Sequence, residues 1–293
     1  MIFRIAVLTG LLMLPARAQL EGVIDLHAHC APDSMPRSID ALELATIAKR
    51  NHLRGLLLKN HYTHTASLAF MVRQAVPGIE VYGGIALNAS VGGINPVAVE
   101  HMARTAGRLG RVVWMPTFDS EFYHQAGPPN PNFVSVSKNG ELLAKVIEVL
   151  DLMAREKLAL ATGHSSPEES LLLIREAKKR GVDRIIVTHP LNRRISMTIE
   201  QQREAAKLGA LLEYPYNILL PTEEGVGIEP VAKAIRAVGP QYCVLSSDLG
   251  QAGNAVHTDG LLLFRQQLHD RGFTAQETDQ MMKQNPAKFL GLE

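Results

Sequence analysis

Short apolar segments alternate with longer amphipathic ones along most of this chain. Residues 54–60 contain three consecutive leucines, Leu56 to Leu58, which is typical of a parallel strand buried on both faces. Residues 141–156 instead carry apolar side chains at helical spacing, and they are predicted to form an amphipathic helix. The two patterns recur in turn, as in a fold built from strand–helix units.

The segments predicted to be strands are residues 23–29, 54–60, 81–87, 111–116, 158–162, 184–188, 210–214 and 242–246. Helices are predicted over residues 38–51, 67–76, 96–109, 141–156, 199–208 and 230–238, after an N-cap at Ser166, and twice at the end of the chain. This alternation predicts a closed (β/α)₈ TIM barrel, an α/β fold, as a single domain over residues 19–293. An open doubly wound sheet is the alternative, but no Gly-x-Gly-x-x-Gly loop follows the first strand.

One connection, from Phe118 to Ser137, is long for a barrel of this size and contains Tyr123 and His124. Long loops of this kind are often functional or mobile, so we interpret it as a lid over the catalytic rim. The loop over residues 214–217 is a second candidate for a wall of the pocket.

Composition excludes several classes of protein. The 293 residues are 46% apolar and 20% charged, as in ordinary globular proteins, and the formal charge of +1 gives no reason to expect a nucleic-acid partner. The first residues have the pattern of an export signal. Residues 1–4 form a short segment with one positive charge, at Arg4. An apolar run follows over residues 5–14, and residues 16–18 have the small-x-small pattern of a cleavage site. Residues 1–18 are therefore interpreted as a signal peptide. We expect a mature chain from Gln19, a periplasmic or secreted location, and no stable membrane insertion after cleavage; the alternative is an N-terminal apolar helix that packs on the fold.

The chain has two cysteines, Cys30 and Cys243. Cys30 lies at the end of its strand and Cys243 near the start of its own, which places them roughly 16 Å apart along the barrel axis. A disulfide needs Cα atoms within about 7 Å, so both thiols are predicted to be free.

Candidate chemistry lies where predicted strands end. These positions hold four histidines and one aspartate: His27, His29, His164, His189 and Asp248. Catalytic groups of a TIM barrel converge at the carboxyl ends of its strands. Imidazoles with a carboxylate form a donor set that zinc prefers, and the sequence therefore predicts a divalent-metal site with one or two ions.

These residues give the chain a resemblance to the amidohydrolase superfamily over essentially all of the mature sequence. The similar motifs are Asp25-Leu26-His27-Ala28-His29, Gly163-His164, Thr188-His189-Pro190, Ser247-Asp248 and Asn285-Pro286-Ala287-Lys288. The resemblance implies that His27, His29 and Asp248 bind the more buried metal. It also implies that His164 and His189 bind a second metal, or else hold the substrate or water, and that Asp248 carries a proton.

The chain departs from the family pattern at its fourth strand. Two-metal relatives usually take a bridging carboxylated lysine or glutamate from that strand, and here residues 111–119 contain neither at the strand end. The nearest substitutes are Asp119 and Lys59. A partly desolvated lysine has a lowered pKa and can be carboxylated; the other interpretation of Lys59 is a cation that binds an acidic group.

The leading hypothesis is a metal-dependent hydrolase of amide, lactone or related C–N or C–O bonds in a small molecule, with Asp248 as proton carrier and His189 and Lys59 as further catalytic residues. A one-metal decarboxylase or C–C hydrolase on the same barrel is the second hypothesis. A periplasmic protein that binds a metal or ligand without turnover is the third. A homo-oligomer is possible in each case.

Overall fold

The structure, a computed structural model, describes residues 19–125, 132–222 and 224–292. The predicted signal peptide lies outside the described residues. Eight parallel strands form one sheet in chain order: β1 (Ile24–Ala28), β2 (Gly55–Leu58), β3 (Glu80–Ala86), β4 (Gly110–Trp114), β5 (Ala159–Ala161), β6 (Ile185–Val187), β7 (Leu211–Pro215) and β8 (Cys243–Ser246).

The sheet closes into a barrel between its first and last strands. The backbone N–H of Asp248 donates to the His27 carbonyl at 2.8 Å, and the N–H of His29 donates to the Leu249 carbonyl at 3.0 Å. The predicted TIM barrel is confirmed, and Asp248 lies beside the first strand, as closure requires.

One main helix follows each strand and covers the outside of the barrel: α1 (Ala41–Arg50), α2 (Ala66–Ala75), α3 (Pro96–Arg104), α4 (Ala144–Glu156), α5 (Pro167–Lys179), α6 (Ile199–Lys207), α7 (Ile228–Val238) and α8 (His257–His269). A short helix, Glu121–Gln125, lies in the long loop before α4. Three helical turns end the described chain: Ala275–Asp279, Gln280–Gln284 and Asn285–Leu290.

The helix starts follow local hydrogen bonding. At α5 the Ser166 hydroxyl accepts from the Glu169 N–H, and the Glu169 carboxylate accepts from the Ser166 N–H, so the predicted N-cap forms a full capping box. Asp40 caps α1 through the N–H groups of Leu42 and Glu43. The helices are thereby fixed at the rim where the strands end.

The helix predicted over residues 38–51 spans only Ala41–Arg50, and two further predicted helices are also shorter than expected. Residues 141–142 pair with Ser137–Lys138 in a small antiparallel hairpin, so α4 begins at Ala144. The helix predicted to reach residue 109 ends at Arg104, and a 3₁₀ turn follows in which Gly107 has a φ of 81°. In both places a turn forms where the apolar pattern predicted the end of a helix.

The strand side chains are buried, as their continuous apolar runs predict. Leu56, Leu57 and Leu58 of β2 are fully enclosed, between the barrel interior and the helix layer. Both cysteines are buried and free, which confirms that prediction. Within the described ranges, no helix has the length and apolarity that a membrane crossing needs.

Candidate metal centre

The ends of β1 and β8 bring three potential metal ligands together. His27 lies within β1, His29 follows it, and Asp248 follows β8. One donor atom from each of these residues lies within 4.8 Å of the others, and all three residues are buried. Alternation along the strand places both imidazoles on one face, with ring centroids 5.1 Å apart.

Asp248 joins the two histidines through a single oxygen. Its Oδ1 lies 3.1 Å from His27 Nε2 and 3.0 Å from His29 Nε2. Burial by itself raises the pKa of the Asp248 carboxyl, but the hydrogen bond from His29 and the positive charge of Lys59 reverse this effect and hold the pKa well below its usual range. Asp248 is therefore an anion, which is the form that binds a metal.

A buried glutamate orients His27. Glu213 of β7 places Oε1 2.9 Å from His27 Nδ1, and the same oxygen accepts from the Ser246 hydroxyl at 2.7 Å. Burial lowers the pKa of His27 to about 3, so its ring is neutral. With the Nδ1 proton directed at Glu213, His27 Nε2 presents a lone pair to the site, which is the usual arrangement of a metal-binding histidine.

Lys59 supplies the cation next to these donors. Its Nζ lies 2.8 Å from His27 Nε2, and the side chain is buried at the end of β2. Burial lowers the pKa of Lys59 to about 8, partly offset by the charges of Asp248 and Glu213. The lysine therefore lies in the site, as the sequence predicts, in contact with a candidate metal ligand.

His29 has a different partner from His27. Arg37, in the loop after β1, places Nη2 3.2 Å from His29 Nδ1, and its Nε donates to Asp33 at 2.7 Å. Since a guanidinium only donates, Nδ1 accepts and the proton of the neutral ring lies on Nε2, toward Asp248. Binding of a metal at His29 Nε2 therefore requires this proton to leave Nε2.

His164 and His189 form a second pair beside the three ligands. Their ring centroids lie 4.9 Å apart, and the His189 ring lies 6.2 Å from that of His27. The Nδ1 atoms of both are buried without a hydrogen-bond partner in the described structure. They do not join the three-donor group within the described ranges, and their role as ligands to a second metal stays a prediction.

Aromatic side chains of the predicted lid cover the site. Phe118 packs on His61 with ring centroids 4.1 Å apart, and Tyr123 lies 4.6 Å from the His164 ring. The Tyr123 hydroxyl donates to Glu224, which joins the loop after β4 to the loop after β7. Residues 126–131 of the predicted lid lie outside the described residues.

The site opens through a small polar cavity. The inner cavity has a volume of about 80 Å³, and a larger one of about 400 Å³ adjoins it and shares Asn192, Asn217, Glu224 and Gln251 as lining. Asn217 belongs to the loop expected to wall the pocket, and its Nδ2 lies 3.5 Å from Asp248 Oδ2. Eleven of the thirteen residues that line the inner cavity have polar or charged side chains, which can form hydrogen bonds with a small substrate.

Two of the predicted site residues have an unusual backbone conformation. His189 has a φ of 26° and Asp248 a φ of 49°, both in the left-handed region that non-glycine residues rarely adopt. Such conformations concentrate at functional sites, where the surrounding structure holds them.

The donor set fits a divalent metal ion. Two imidazoles and an ionised carboxylate are buried together, and His27 has the supporting carboxylate that metal-bound histidines usually have. His27 Nε2 and Asp248 Oδ1 are two acceptors 3.1 Å apart, and the Lys59 ammonium group, 2.8 Å from His27 Nε2, supplies a cation beside them. The residues that would hold the ion are His27, His29 and Asp248.

The structure distinguishes the two candidates for a bridging ligand. The Asp119 carboxylate accepts from the Ala89 N–H at 2.9 Å and does not line the cavity, whereas Lys59 does. At the end of β4 the Thr117 hydroxyl is instead hydrogen-bonded to His61 and Asn88.

Sequence reasoning missed Glu213 and Arg37. Glu213 had a usable signal, because it is a lone acid between Leu212 and Tyr214 in an apolar strand. Arg37 had none, since its loop has no periodicity that indicates a side-chain direction.

Comparison with known protein families assigns the chain to one of them. Residues 22–213 match DUF6282, a protein family of unknown function, and this range is more than half of the chain. The chain belongs to the DUF6282 family. The match includes His27, His29 and Glu213, whereas Asp248 lies beyond it. Comparison with curated proteins found no match.

Solved structures share the fold over nearly their whole length. An organophosphate hydrolase engineered from a promiscuous lactonase template is 15% identical, with a TM-score of 0.64 over 95% of this chain and 98% of that one. An amidohydrolase from Pseudomonas aeruginosa is 13% identical, with a TM-score of 0.62 over 94% and 97%. The organophosphorus hydrolase from Deinococcus radiodurans is 13% identical, with a TM-score of 0.63 over 94% of each chain. The likeness confirms the expected (β/α)₈ barrel fold.

Proposed function

We propose that this protein is a metal-dependent hydrolase that acts on an amide, lactone or related ester bond of a small polar molecule. The observation that carries the proposal is the buried group of His27, His29 and Asp248 at the carboxyl ends of two adjacent barrel strands. Zinc is the ion we infer, because imidazole and carboxylate donors in a buried site suit it best. The fold neighbours that are named as lactonase, amidohydrolase and organophosphorus hydrolase support the same reaction class.

The chemistry follows from the position of the side chains. A divalent ion bound there supplies polarisation of the scissile bond and lowers the pKa of a water molecule toward about 7. Asp248 keeps Oδ2 toward Asn217 and the cavity, where it takes the proton of the attacking water and returns it to the leaving group. Lys59 and His189 line the same cavity and stabilise negative charge that develops on the substrate.

A second candidate is a one-metal decarboxylase or C–C hydrolase. It is favoured by the end of β4, where Thr117 stands in place of an acidic bridge, and by the single three-donor group in the described part of the chain. Both candidates use Asp248 as proton carrier, so they differ in substrate rather than in the first metal.

Metal analysis of the purified protein, together with a screen of lactones, amides, phosphotriesters and aromatic acids, tests the proposal. We expect about one bound zinc or more per chain, and turnover of at least one substrate class. Replacing both His27 and His29 with Ala should empty the site while the far-UV circular dichroism stays native, because both side chains lie at the rim. Full metal content in this double variant would place the metal elsewhere, and a metal-loaded protein without turnover of any substrate would favour a binding role.

A further inference from the structure

One cation in the cavity has no role in the proposed metal chemistry. The Arg37 side chain is only 2% exposed, yet it lines the inner cavity together with His29 and Asp248. Its Nε and Nη2 contact Asp33, and Nη2 also contacts His29 Nδ1. Its Nη1 has no hydrogen-bond partner among the residues that the structure describes. A buried guanidinium with unused N–H groups beside a cavity is suited to bind an anion.

Metal binding would free more of this guanidinium. In the structure Nη2 donates to His29 Nδ1, which leaves the imidazole proton on Nε2. A metal at His29 Nε2 needs the tautomer with its proton on Nδ1. That proton would face the Arg37 N–H, and because both groups are donors, the hydrogen bond between them would be lost. Arg37 then has N–H groups of both Nη1 and Nη2 to offer to another acceptor.

The acids around the cavity do not supply this acceptor. Glu224 is already engaged by Tyr123, Asn192 and Arg194. Asp248 faces the two histidines. Asp33 contacts Nε and Nη2 of Arg37 and neutralises its charge, but it does not contact Nη1.

We propose that Arg37 is a specificity-determining residue that binds a carboxylate of the substrate, so that the enzyme acts on small molecules that carry a carboxylate in addition to the bond that is cleaved. This inference rests on the proposed hydrolase function. The planar fork of arginine matches a carboxylate with two parallel N–H···O bonds, which lysine does not provide.

The test compares two ligands that differ by one charge. Succinate and succinamate have nearly the same shape, but succinamate carries an amide in place of the second carboxylate. Isothermal titration calorimetry of the zinc-loaded protein gives the ratio of their affinities. The contribution of the carboxylate that both ligands share cancels in this ratio. We expect the wild type to bind succinate about tenfold more tightly or better, as a charge-assisted hydrogen-bonded pair implies.

Arg37→Gln should bring this ratio close to one, and Arg37→Lys should retain part of it, because the charge remains while the fork is lost. Arg175→Gln is the matched control: it removes an arginine from the exposed face of α5, and the ratio should not change. Zinc content and the thermal midpoint are measured for every variant.

If Arg37 serves only to hold its loop through Asp33, Arg37→Gln will lower the thermal midpoint and leave the ratio unchanged, which overturns the inference. A wild-type ratio near one overturns it as well. If the protein binds no zinc, the hydrolase proposal fails, and the same titration on the metal-free protein still decides whether Arg37 selects for the second carboxylate.

Discussion

In the proposed function, Asp248 is both a metal ligand and the proton carrier. Its Oδ1 faces His27 and His29, and its Oδ2 faces Asn217 at the cavity. Asp248→Asn keeps an oxygen for ligation but cannot accept a proton at neutral pH. Asparagine also tolerates the left-handed backbone that Asp248 has, with its φ of 49°.

For Asp248→Asn we therefore expect a fall in kcat of about 10²–10⁴-fold with most of the metal retained. The measurement is turnover of the variant after reconstitution with metal, on a substrate from the screen, with metal content determined in the same samples. Near-normal turnover of the metal-saturated variant would leave Asp248 as a ligand only.

Glu213 acts on the site through His27 and is a positioning residue. Glu213→Leu removes the acceptor for His27 Nδ1–H and should weaken metal affinity by roughly 10–100-fold. Glu213→Gln keeps an acceptor oxygen at the same place and should restore most of the affinity. Competition with a chromogenic chelator measures this difference; equal affinity in the two variants would assign Glu213 to packing alone.

The residues of the site differ in how well the sequence predicts their positions. His27 and His29 follow from a strand pattern, because alternation puts both on one face. Arg37 does not, since its direction depends on a buried contact with Asp33 that only the folded loop creates. The contact of Glu213 with His27 depends on barrel closure, which brings β7, β8 and β1 together.

At the scale of elements, the join between β4 and β5 depends on one glycine. A Cβ at Gly163 would lie 2.2 Å from the Met115 carbonyl oxygen, and the residue has a φ of 62°. The next residue, His164, donates its backbone N–H to the Pro116 carbonyl at 2.9 Å. A side chain at position 163 would therefore separate the two strand ends and displace His164.

Gly163→Ala should lower the free energy of unfolding by about 3 kcal/mol or more, because backbone strain and overlap act together. Gly181→Ala is the control: its φ of 84° is equally unfavourable, but a Cβ there meets nothing within 4 Å. We expect this control to lose only about 1–2 kcal/mol. Denaturant unfolding of both variants measures the difference, and equal losses would show that the strands can separate without cost.

The element predictions succeed where the pattern is long and fail where it is short. The barrel strands are apolar runs whose burial follows from their composition, and α5 begins at the capping residues that the sequence shows. The hairpin at Ser137–Lys138 has strands of two residues, too few for any periodicity to appear. The same limit applies after Arg104, where α3 ends and a short 3₁₀ turn that contains Gly107 follows.

At the scale of the whole molecule, the order of the strands assembles the site. Asp248 lies more than 200 positions from His27 in the sequence, and closure of the barrel joins them through a backbone hydrogen bond of 2.8 Å. The resemblance of the sequence motifs predicts that Asp248 and His27 lie close together, but the separation of the two residues along the chain does not. The distances within the site, and therefore the number of metals, depend on the packing of several loops at once.

The residues that follow the predicted processing site make contacts with the barrel. Leu20 is fully buried, and the Gln19 carbonyl accepts from Arg265 Nη1 at 2.5 Å. Cleavage after Ala18 would leave both contacts intact. From the sequence pattern of residues 1–18, we propose that the protein is exported as a mature chain from Gln19.

N-terminal sequencing of the protein from the periplasm of a bacterial host should therefore begin near Gln19. Replacing Leu11 and Leu12 with Arg interrupts the apolar run that export requires, and this variant should stay in the cytoplasm with residues 1–18 attached. The matched control carries two arginines at Leu262 and Leu263 of α8, outside the proposed signal, and should still be cleaved. An exported protein that keeps its first residues would instead make this segment part of the mature chain, because an apolar run that is never removed has to be covered by the fold or by a membrane surface.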